Sequence, residues 1–173
     1  MLDAHRQYTQ GFSLKVTSVI RLTDDEQKAA LADILWLCSH SSLHKRYPLH
    51  IFHDRFLPSL KLQQYILSHD QDGRPVGFCN WIYLPQERLS KVAKAQCDIE
   101  LKDWSASRKF EGLSGGNRQL FFPEFLAPFG HCRPMVRYLR EQVFGPGTTG
   151  VSIRGVIGRQ AEQANPEVKF FRA

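Results

Sequence analysis

The chain has 173 residues, 42% of them hydrophobic, which is typical of one folded domain with a sizeable core. The formal charge of +6 and the isoelectric point near 9.3 favour an acidic partner, but the basic residues are scattered, so nucleic acid is not indicated. No apolar run is long enough to span a membrane and the first ten residues lack a secretion signal, so we expect a cytoplasmic protein.

The cysteine and histidine spacings do not predict a metal site. The four cysteines are far apart and form no CxxC pair, so neither a zinc site nor a disulfide framework is indicated. His50 and His53 form an HxxH pair, but no carboxylate motif or third ligand stands in register with them. We therefore expect no bound metal.

The first strong element in the chain is a helix after residue 22. Residues 1–22 are interpreted as an extension with a short strand between Leu14 and Leu22. Thr23 and Glu26 then have the spacing of a capping box, which predicts a helix start. Apolar residues of the predicted core face recur at helical spacing: Ala30, Leu31, Ile34, Leu35 and Cys38.

A polar cluster follows this helix. It runs from Ser39 to His44, is bracketed by Trp36 and Tyr47, and is closed by Pro48. Histidine changes its protonation near neutral pH, which suits general acid or base catalysis. A histidine beyond a helix C-terminus is also typical as a cap or a surface residue, so the cluster alone leaves both interpretations open.

The middle of the chain predicts further helices and strands. A short helix around Leu49–Phe56 precedes a hairpin with strands from Leu60 to Ser68 and from Val76 to Tyr83. A helix from Gln86 to Ala95 and a third strand at about Cys97–Leu101 follow. Residues 105–118 are polar and rich in glycine, which predicts a surface loop.

The stretch 120–144 predicts a buried strand, a turn and a helix. The apolar strand contains Glu124, and Pro123 before it implies a bulge or an unpaired position. After the turn at 127–130, Pro134 suits a first helical turn and Gly145 a helix stop.

This stretch has a functional and a structural interpretation. The helix start leaves free backbone N–H groups where an anion can bind, and Arg133 adds positive charge there, although most such turns bind nothing. A carboxylate on an apolar strand, such as Glu124, needs a partner or a raised pKa, and such groups occur both at functional sites and in structural ion pairs.

The chain ends with one more predicted strand and a tail. Residues 150–157 read as a strand, with Gly155 marking a bulge or a close approach, and the polar tail from Gly158 is expected to fray. Together the elements predict an α/β sandwich with a sheet of about five strands.

Six motifs follow one another along the chain: ILWLCSHSSLHKRYP (34–48), Leu57-Pro58, Gln64-Tyr65, RPVGFCNW (74–81), Asp103-Trp104 and FLAPFG (125–130). Together they resemble one family, the lysine acyltransferases that activate RTX pore-forming protoxins, also called hemolysin-activating proteins. The order of the motifs and much of their spacing fit that family over residues 31 to about 144.

The resemblance implies a fold and an activity. The fold is a single α/β domain similar to GNAT acetyltransferases, with a central mixed sheet flanked by helices. Residues 23–158 would form this acyltransferase domain, between the extension 1–22 and a C-terminal tail 159–173. Such enzymes work as homodimers in the bacterial cytoplasm and move a fatty acyl group from acyl carrier protein to internal lysines of the RTX protoxin.

The resemblance also implies site residues. The serine and histidine of the family's S-P-L-H motif fall on Ser41 and His44, with Ser42 in place of the proline, and its catalytic aspartate falls on Glu124. By analogy with the coenzyme A site of GNAT enzymes, Phe129, Gly130 and Arg133 would receive the phosphate of a phosphopantetheine arm.

The chemistry admits more than one role for these residues. A lysine amine, with a pKa of about 10.4, is mostly protonated at neutral pH, so attack on a thioester needs a base. His44 is the candidate base, with Glu124 fixing its tautomer; the alternative is that His44 itself carries the acyl group. Ser41 would bond the imidazole or the thioester oxygen, or else only cap the helix.

Two other functions stand beside acyl transfer to a protein. The change from aspartate to glutamate at Glu124, together with a loop 105–118 longer than the family pattern, suggests a catalytically weak or inactive module that binds a partner protein. A small-molecule N-acetyltransferase that uses acetyl coenzyme A is disfavoured, because the usual glycine-rich loop is not legible.

Overall fold

A computed structural model describes residues 14–18, 20–94, 96–107, 118–145, 147–154 and 167–172. Its strands are β1 (Lys15–Ser18), β2 (Tyr65–His69), β3 (Pro75–Asn80), β4 (Ile82–Pro85), β5 (Arg118–Phe122), β6 (Phe125–Leu126), β7 (Thr149–Arg154) and β8 (Glu167–Arg172). Its helices are α1 (Asp24–Ser39), α2 (Leu49–Ile51), α3 (Leu57–Lys61), α4 (Gln86–Ala93), α5 (Leu101–Ser107) and α6 (Cys132–Tyr138). A 3-10 turn (His44–Arg46) precedes α2, and π-helical turns follow α2 (Phe52–Phe56) and α6 (Leu139–Phe144).

The strands of the described part form two four-stranded sheets. The first has the order β1-β2-β3-β6 and is antiparallel throughout. The second has the order β4-β5-β7-β8, and in it only β5 and β7 are parallel. The predicted α/β class is confirmed, but two sheets replace the single central sheet of about five strands.

The chain changes sheet at two breaks that lie side by side. Trp81 separates β3 from β4, so the prediction of one strand from Val76 to Tyr83 is wrong. Its N–H donates to the Gln64 carbonyl at 3.2 Å, and its side chain is only 2% exposed. Pro123 and Glu124 separate β5 from β6, at the position where proline predicts an interruption.

Three apolar clusters form the core. On β2, Tyr65 faces the cluster beneath α1, whereas Ile66, the next residue, faces the cluster beneath α6, as expected for alternating side chains of a strand. The third cluster joins the second sheet to α4 and α5. The first sheet is therefore covered on both faces.

The capping box of α1 is confirmed. Glu26 N–H donates to Thr23 Oγ1 at 3.3 Å, and Thr23 N–H donates to Glu26 Oε2 at 2.8 Å. The predicted core face is wrong at Leu35, which is 47% exposed, because Leu37 takes its place in the core. Leu37 follows Ile34 by three residues and so shares its face of the helix.

The hairpin is confirmed, but its first strand starts later than predicted. Residues 57–61 are helical, so the prediction of a strand from Leu60 is wrong. Phe56 and Leu60, four residues apart, are 0% and 1% exposed, which is the spacing of a buried helix face. Pro58 lies in the first turn of α3, where its missing N–H is tolerated.

The predicted strand at Cys97–Leu101 is also wrong, because α5 begins at Leu101. In this segment side chains, rather than a neighbouring strand, provide hydrogen bonds to the backbone. Arg88 donates to the Asp98 carbonyl at 2.7 Å, and Asp103 accepts from the Glu100 N–H at 2.9 Å.

The C-terminal part adds two paired strands. The predicted last strand is confirmed as β7 as far as Arg154, and Gly155 lies outside the described residues. The prediction of a frayed tail is wrong for 167–172, because β8 pairs antiparallel with β7. Gly145 ends the helix after β6, as predicted, with a φ of 76°. No described helix is long and apolar enough to cross a membrane.

Candidate active site

Ser41, His44 and Glu124 meet in a largely buried contact, although Glu124 is 80 residues from His44 in the sequence. Ser41 Oγ lies 2.6 Å from His44 Nδ1, and His44 Nε2 lies 3.2 Å from Glu124 Oε2. His44 is 8% exposed and Glu124 is 1% exposed. The fold thus brings the three predicted catalytic residues into one hydrogen-bonded row.

The partners of the imidazole define its tautomer. A carboxylate oxygen only accepts, so His44 Nε2 carries the hydrogen that faces Glu124. In the neutral ring Nδ1 is then the acceptor, and the Ser41 hydroxyl donates to it. The lone pair of the neutral ring is therefore on Nδ1, where it accepts from Ser41.

Glu124 accepts two further side-chain donors. Tyr47 Oη donates to Oε2 at 3.0 Å, and Arg55 donates from one terminal nitrogen to Oε1 at 2.9 Å. The ring of Tyr47 also lies 4.8 Å from that of His44, centroid to centroid. These donors satisfy both carboxylate oxygens away from water.

One buried side chain fixes the backbone around the site. Asn80, at the end of β3, accepts from the Glu124 N–H at 3.0 Å and donates to the Arg55 carbonyl at 2.8 Å. The Asn80 N–H also donates to the Glu124 carbonyl at 3.2 Å. The break between β5 and β6 therefore keeps its backbone bonds without a regular ladder.

Burial and charge set the protonation of the neighbours. Burial, and next the negative charge of Glu124, raise the pKa of the Tyr47 hydroxyl, so this group stays a donor. The same two causes raise the pKa of the Cys38 thiol to about 12. Burial lowers the pKa of Arg55, but the attraction of Glu124 and Asp98 outweighs it and the net shift is upward.

The turn that follows α1 sets the position of His44. His40 is the C-cap, and its Nδ1 lies 2.9 Å from the Trp36 carbonyl, so the helix-cap interpretation applies to His40 rather than to His44. His44 begins the 3-10 turn that follows, and its N–H lies 3.4 Å from Ser41 Oγ. The turn directs the imidazole into the core.

The predicted donor-binding residues lie beside this row without joining it. Phe129 contacts the rings of Trp36 and His40 at 5.3 and 5.4 Å between centroids. Gly130 has a φ of 86°, which favours glycine in the turn, and Arg133 is exposed in the first turn of α6. The turn is thus a neighbour of the segment that carries Ser41.

Sequence reasoning missed three residues of the site: Tyr47, Arg55 and Asn80. Tyr47 and Asn80 lie in stretches that the family resemblance quotes, so their motifs were a usable signal. Arg55 had none, because a single arginine in a helical segment reads as a surface residue. Among the described residues, no group of three or more His, Cys, Asp or Glu side chains is placed to hold a metal ion.

Comparison with known proteins identifies the family. The model of the RTX toxin acyltransferase family matches residues 23–171. The chain belongs to this family. The resemblance inferred from the motifs is therefore confirmed.

Relatives in three bacteria carry matching names. The lysine-acyltransferase RtxC of Vibrio cholerae is 30% identical over 152 residues, which are 87% of this chain and 93% of that protein. The RTX-III toxin-activating lysine-acyltransferase ApxIIC of Actinobacillus pleuropneumoniae is 32% identical over 83% of this chain and 80% of its own. The protein-lysine myristoyltransferase HlyC of Escherichia coli is 29% identical over 65% and 59%.

Proposed function

We propose that this chain is a protein-lysine acyltransferase that moves a fatty acyl group onto the ε-amines of internal lysines of an RTX protoxin and so activates it. Membership of the RTX toxin acyltransferase family and the names of the relatives support this activity. The observation that carries it is the buried row of Ser41, His44 and Glu124.

The geometry suits general base catalysis. The lysine nitrogen bonds to the thioester carbonyl carbon, the carbon–sulfur bond breaks, and the thiol leaves with a proton. The proton lost by the amine passes to His44 Nδ1, directly or through the Ser41 hydroxyl that already bonds this atom, and the imidazolium then returns it to the leaving thiolate. Glu124 stabilises the imidazolium through Nε2.

The alternative in which His44 carries the acyl group has less support. Glu124 hydrogen-bonds Nε2 of His44 and Ser41 hydrogen-bonds Nδ1, and His44 is only 8% exposed. Acylation of either nitrogen would break one of these hydrogen bonds. The same intact contacts favour an enzyme over an inactive binding module, because the longer side chain of Glu124 still reaches the imidazole.

We propose acyl carrier protein as the donor, since carrier proteins are acidic and this chain has a formal charge of +6. The turn with Phe129 and Gly130, together with Arg133, would hold the phosphate of the phosphopantetheine arm, next to the segment that carries Ser41. A homodimer in the cytoplasm, implied by the family resemblance, completes the proposal, and sedimentation of the purified protein tests the dimer.

A reconstituted assay tests the reaction and its donor. Purified enzyme, fatty-acylated carrier protein and a candidate protoxin should give acyl-lysine by mass spectrometry, whereas acetyl coenzyme A should not replace the carrier. Arg133→Glu should raise KM for the acylated carrier about tenfold, because a charge-assisted contact worth about 1.5 kcal/mol becomes repulsive.

Arg137→Glu is the matched control, since this arginine is also exposed on α6 but one turn further along. It should keep the wild-type KM. If both variants raised KM equally, the effect would be one of overall charge, and Arg133 would have no specific role in binding the donor. If the folded enzyme formed no acyl-lysine on the protoxin, this result would favour the inactive binding module.

A further inference from the structure

The negative charge of Glu124 lies in the core and needs compensation. With 1% of the residue exposed, water does not provide it. In the described part of the chain, the cations within ion-pair distance of this carboxylate are His44, which is charged only when protonated, and Arg55. Arg55 is therefore the permanent counter-charge.

Arg55 binds one of the two oxygens of the Glu124 carboxylate and leaves the other for different donors. Its terminal nitrogen binds Oε1 at 2.9 Å, which leaves Oε2 to His44 and Tyr47. A rotation of the carboxylate away from the imidazole would break this charge-assisted bond. The orientation of Oε2 toward His44 thus depends on a residue that does not touch the imidazole.

Arg55 is itself held from two sides. Its second terminal nitrogen pairs with Asp98, which lies between α4 and α5 and has a half-exposed side chain. Its backbone carbonyl accepts from Asn80, whose other amide atom accepts from the Glu124 N–H. The residue also lies in the π-helical turn Phe52–Phe56, a type of helix distortion that is frequent at functional sites.

We propose that Arg55 is a positioning residue for acyl transfer: it holds Glu124 so that Oε2 keeps the hydrogen on His44 Nε2, with Asp98 fixing the guanidinium from the opposite side. This inference rests on the proposed function for its kinetic part. Its structural part, the tautomer of His44, is measurable without any turnover.

The kinetic test removes and then restores the guanidinium. Arg55→Ala should lower kcat about 100-fold with KM for both substrates nearly unchanged, because a misplacement of about 1 Å at a catalytic group costs about this factor. Added methylguanidine should recover part of the lost kcat. Arg55→Lys, which keeps the charge but cannot bond Glu124 and Asp98 as a planar fork, should be intermediate.

Arg88→Ala is the matched control. Arg88 is similarly buried, with 19% of its side chain exposed against 15% for Arg55, and it binds the same 98–103 segment through Asp103 at 2.7 Å. Arg88 does not contact Glu124, so added methylguanidine should leave the kcat of the Arg88→Ala variant unchanged. Rescue of both variants, or of neither, would overturn the proposal.

Nitrogen-15 NMR of the His44 ring supplies the measurement that needs no activity. The wild type should carry its hydrogen on Nε2, Arg55→Ala should show a mixture of tautomers, and Arg55→Lys should keep most of the wild-type signal. An unchanged tautomer in a folded Arg55 variant would overturn the proposal. A wild type without transfer activity would overturn the proposed function instead, and the NMR result would still decide the role of Arg55.

Discussion

Glu124 shows how one residue sets the chemistry of its neighbours. Its carboxylate accepts from His44, Tyr47 and Arg55 while 1% of the residue is exposed. The family resemblance places an aspartate at this position, and the longer glutamate side chain still reaches within 3.2 Å of the imidazole. Removal of one partner from such a buried network is costly, because the remaining charge has no water to solvate it.

The thiol of Cys38 should make the stability of the protein depend on pH, because burial and next the charge of Glu124 raise its pKa. Burial and Glu124 raise its pKa from the ordinary 9.0 to about 12. Between these values the unfolded chain releases a proton that the folded chain keeps, so this contribution to the unfolding free energy is complete below pH 9 and is lost as the pH rises toward 12. Thermal melts from about pH 8 to about pH 10.5 should therefore show a falling melting temperature.

Cys38→Ala should lessen this slope, whatever it does to the melting temperature at neutral pH. Ser42→Ala, at an exposed position in the nearby turn, should keep the wild-type slope. A Cys38→Ala slope equal to that of the wild type would show that the pKa of this thiol is not raised in the folded chain.

Among the elements, β3 contacts both its neighbours in the first sheet and the residues of the site. It pairs with β2 and β6, ends at Asn80 beside the row of Ser41, His44 and Glu124, and contacts α6 through Gly77. A Cβ at Gly77 would lie 2.2 Å from Met135 Sδ and 3.2 Å from the Leu126 carbonyl. Met135 is 0% exposed, so its side chain has little room to move.

Gly77→Ala should destabilise the protein by about 1–3 kcal/mol, the usual cost of overpacking a core, and denaturant unfolding measures it. Met135→Ala leaves a cavity of its own, but in the double variant the two changes should compensate in part. A double-mutant cycle with a coupling near zero would contradict the close contact of α6 with β3.

At the scale of the whole molecule, the site occupies the junction of the two sheets. Asn80 ends β3 immediately before the chain enters the second sheet, and Glu124 precedes β6, where the chain returns to the first. The helical segments between α1 and β2 supply His44 and Arg55, which bind different oxygens of the Glu124 carboxylate. At this change of sheet the Asn80 side chain bonds the backbone of Glu124 and of Arg55, which brings the site residues together.

The residue types of the site were predictable, but not all of their contacts. The family resemblance predicts Ser41 and His44 as a pair, because the serine and histidine of its S-P-L-H motif fall on these residues. The family resemblance adds Glu124. Their meeting across 80 residues depends on the return of β6 to the first sheet, which no local pattern encodes.

Local patterns failed where distant side chains replaced backbone partners. Residues 97–101 have apolar members that fit a strand, yet Arg88 and Asp103 satisfy that backbone and α5 follows. Arg55 carries no sequence signal, because its role comes from Glu124 and Asp98, both distant in the chain. Helix caps and the hairpin, by contrast, depend on neighbouring residues and were predicted.

Intact-mass analysis of a candidate RTX protoxin co-expressed with this chain tests the central claim most directly. Wild type should add a fatty-acyl mass to the protoxin, and both His44→Ala and Glu124→Ala should abolish it. His53→Ala, whose side chain is 63% exposed, should retain it. No mass increment with folded wild type, or an increment that survives both site variants, would contradict acyl transfer at His44 and Glu124.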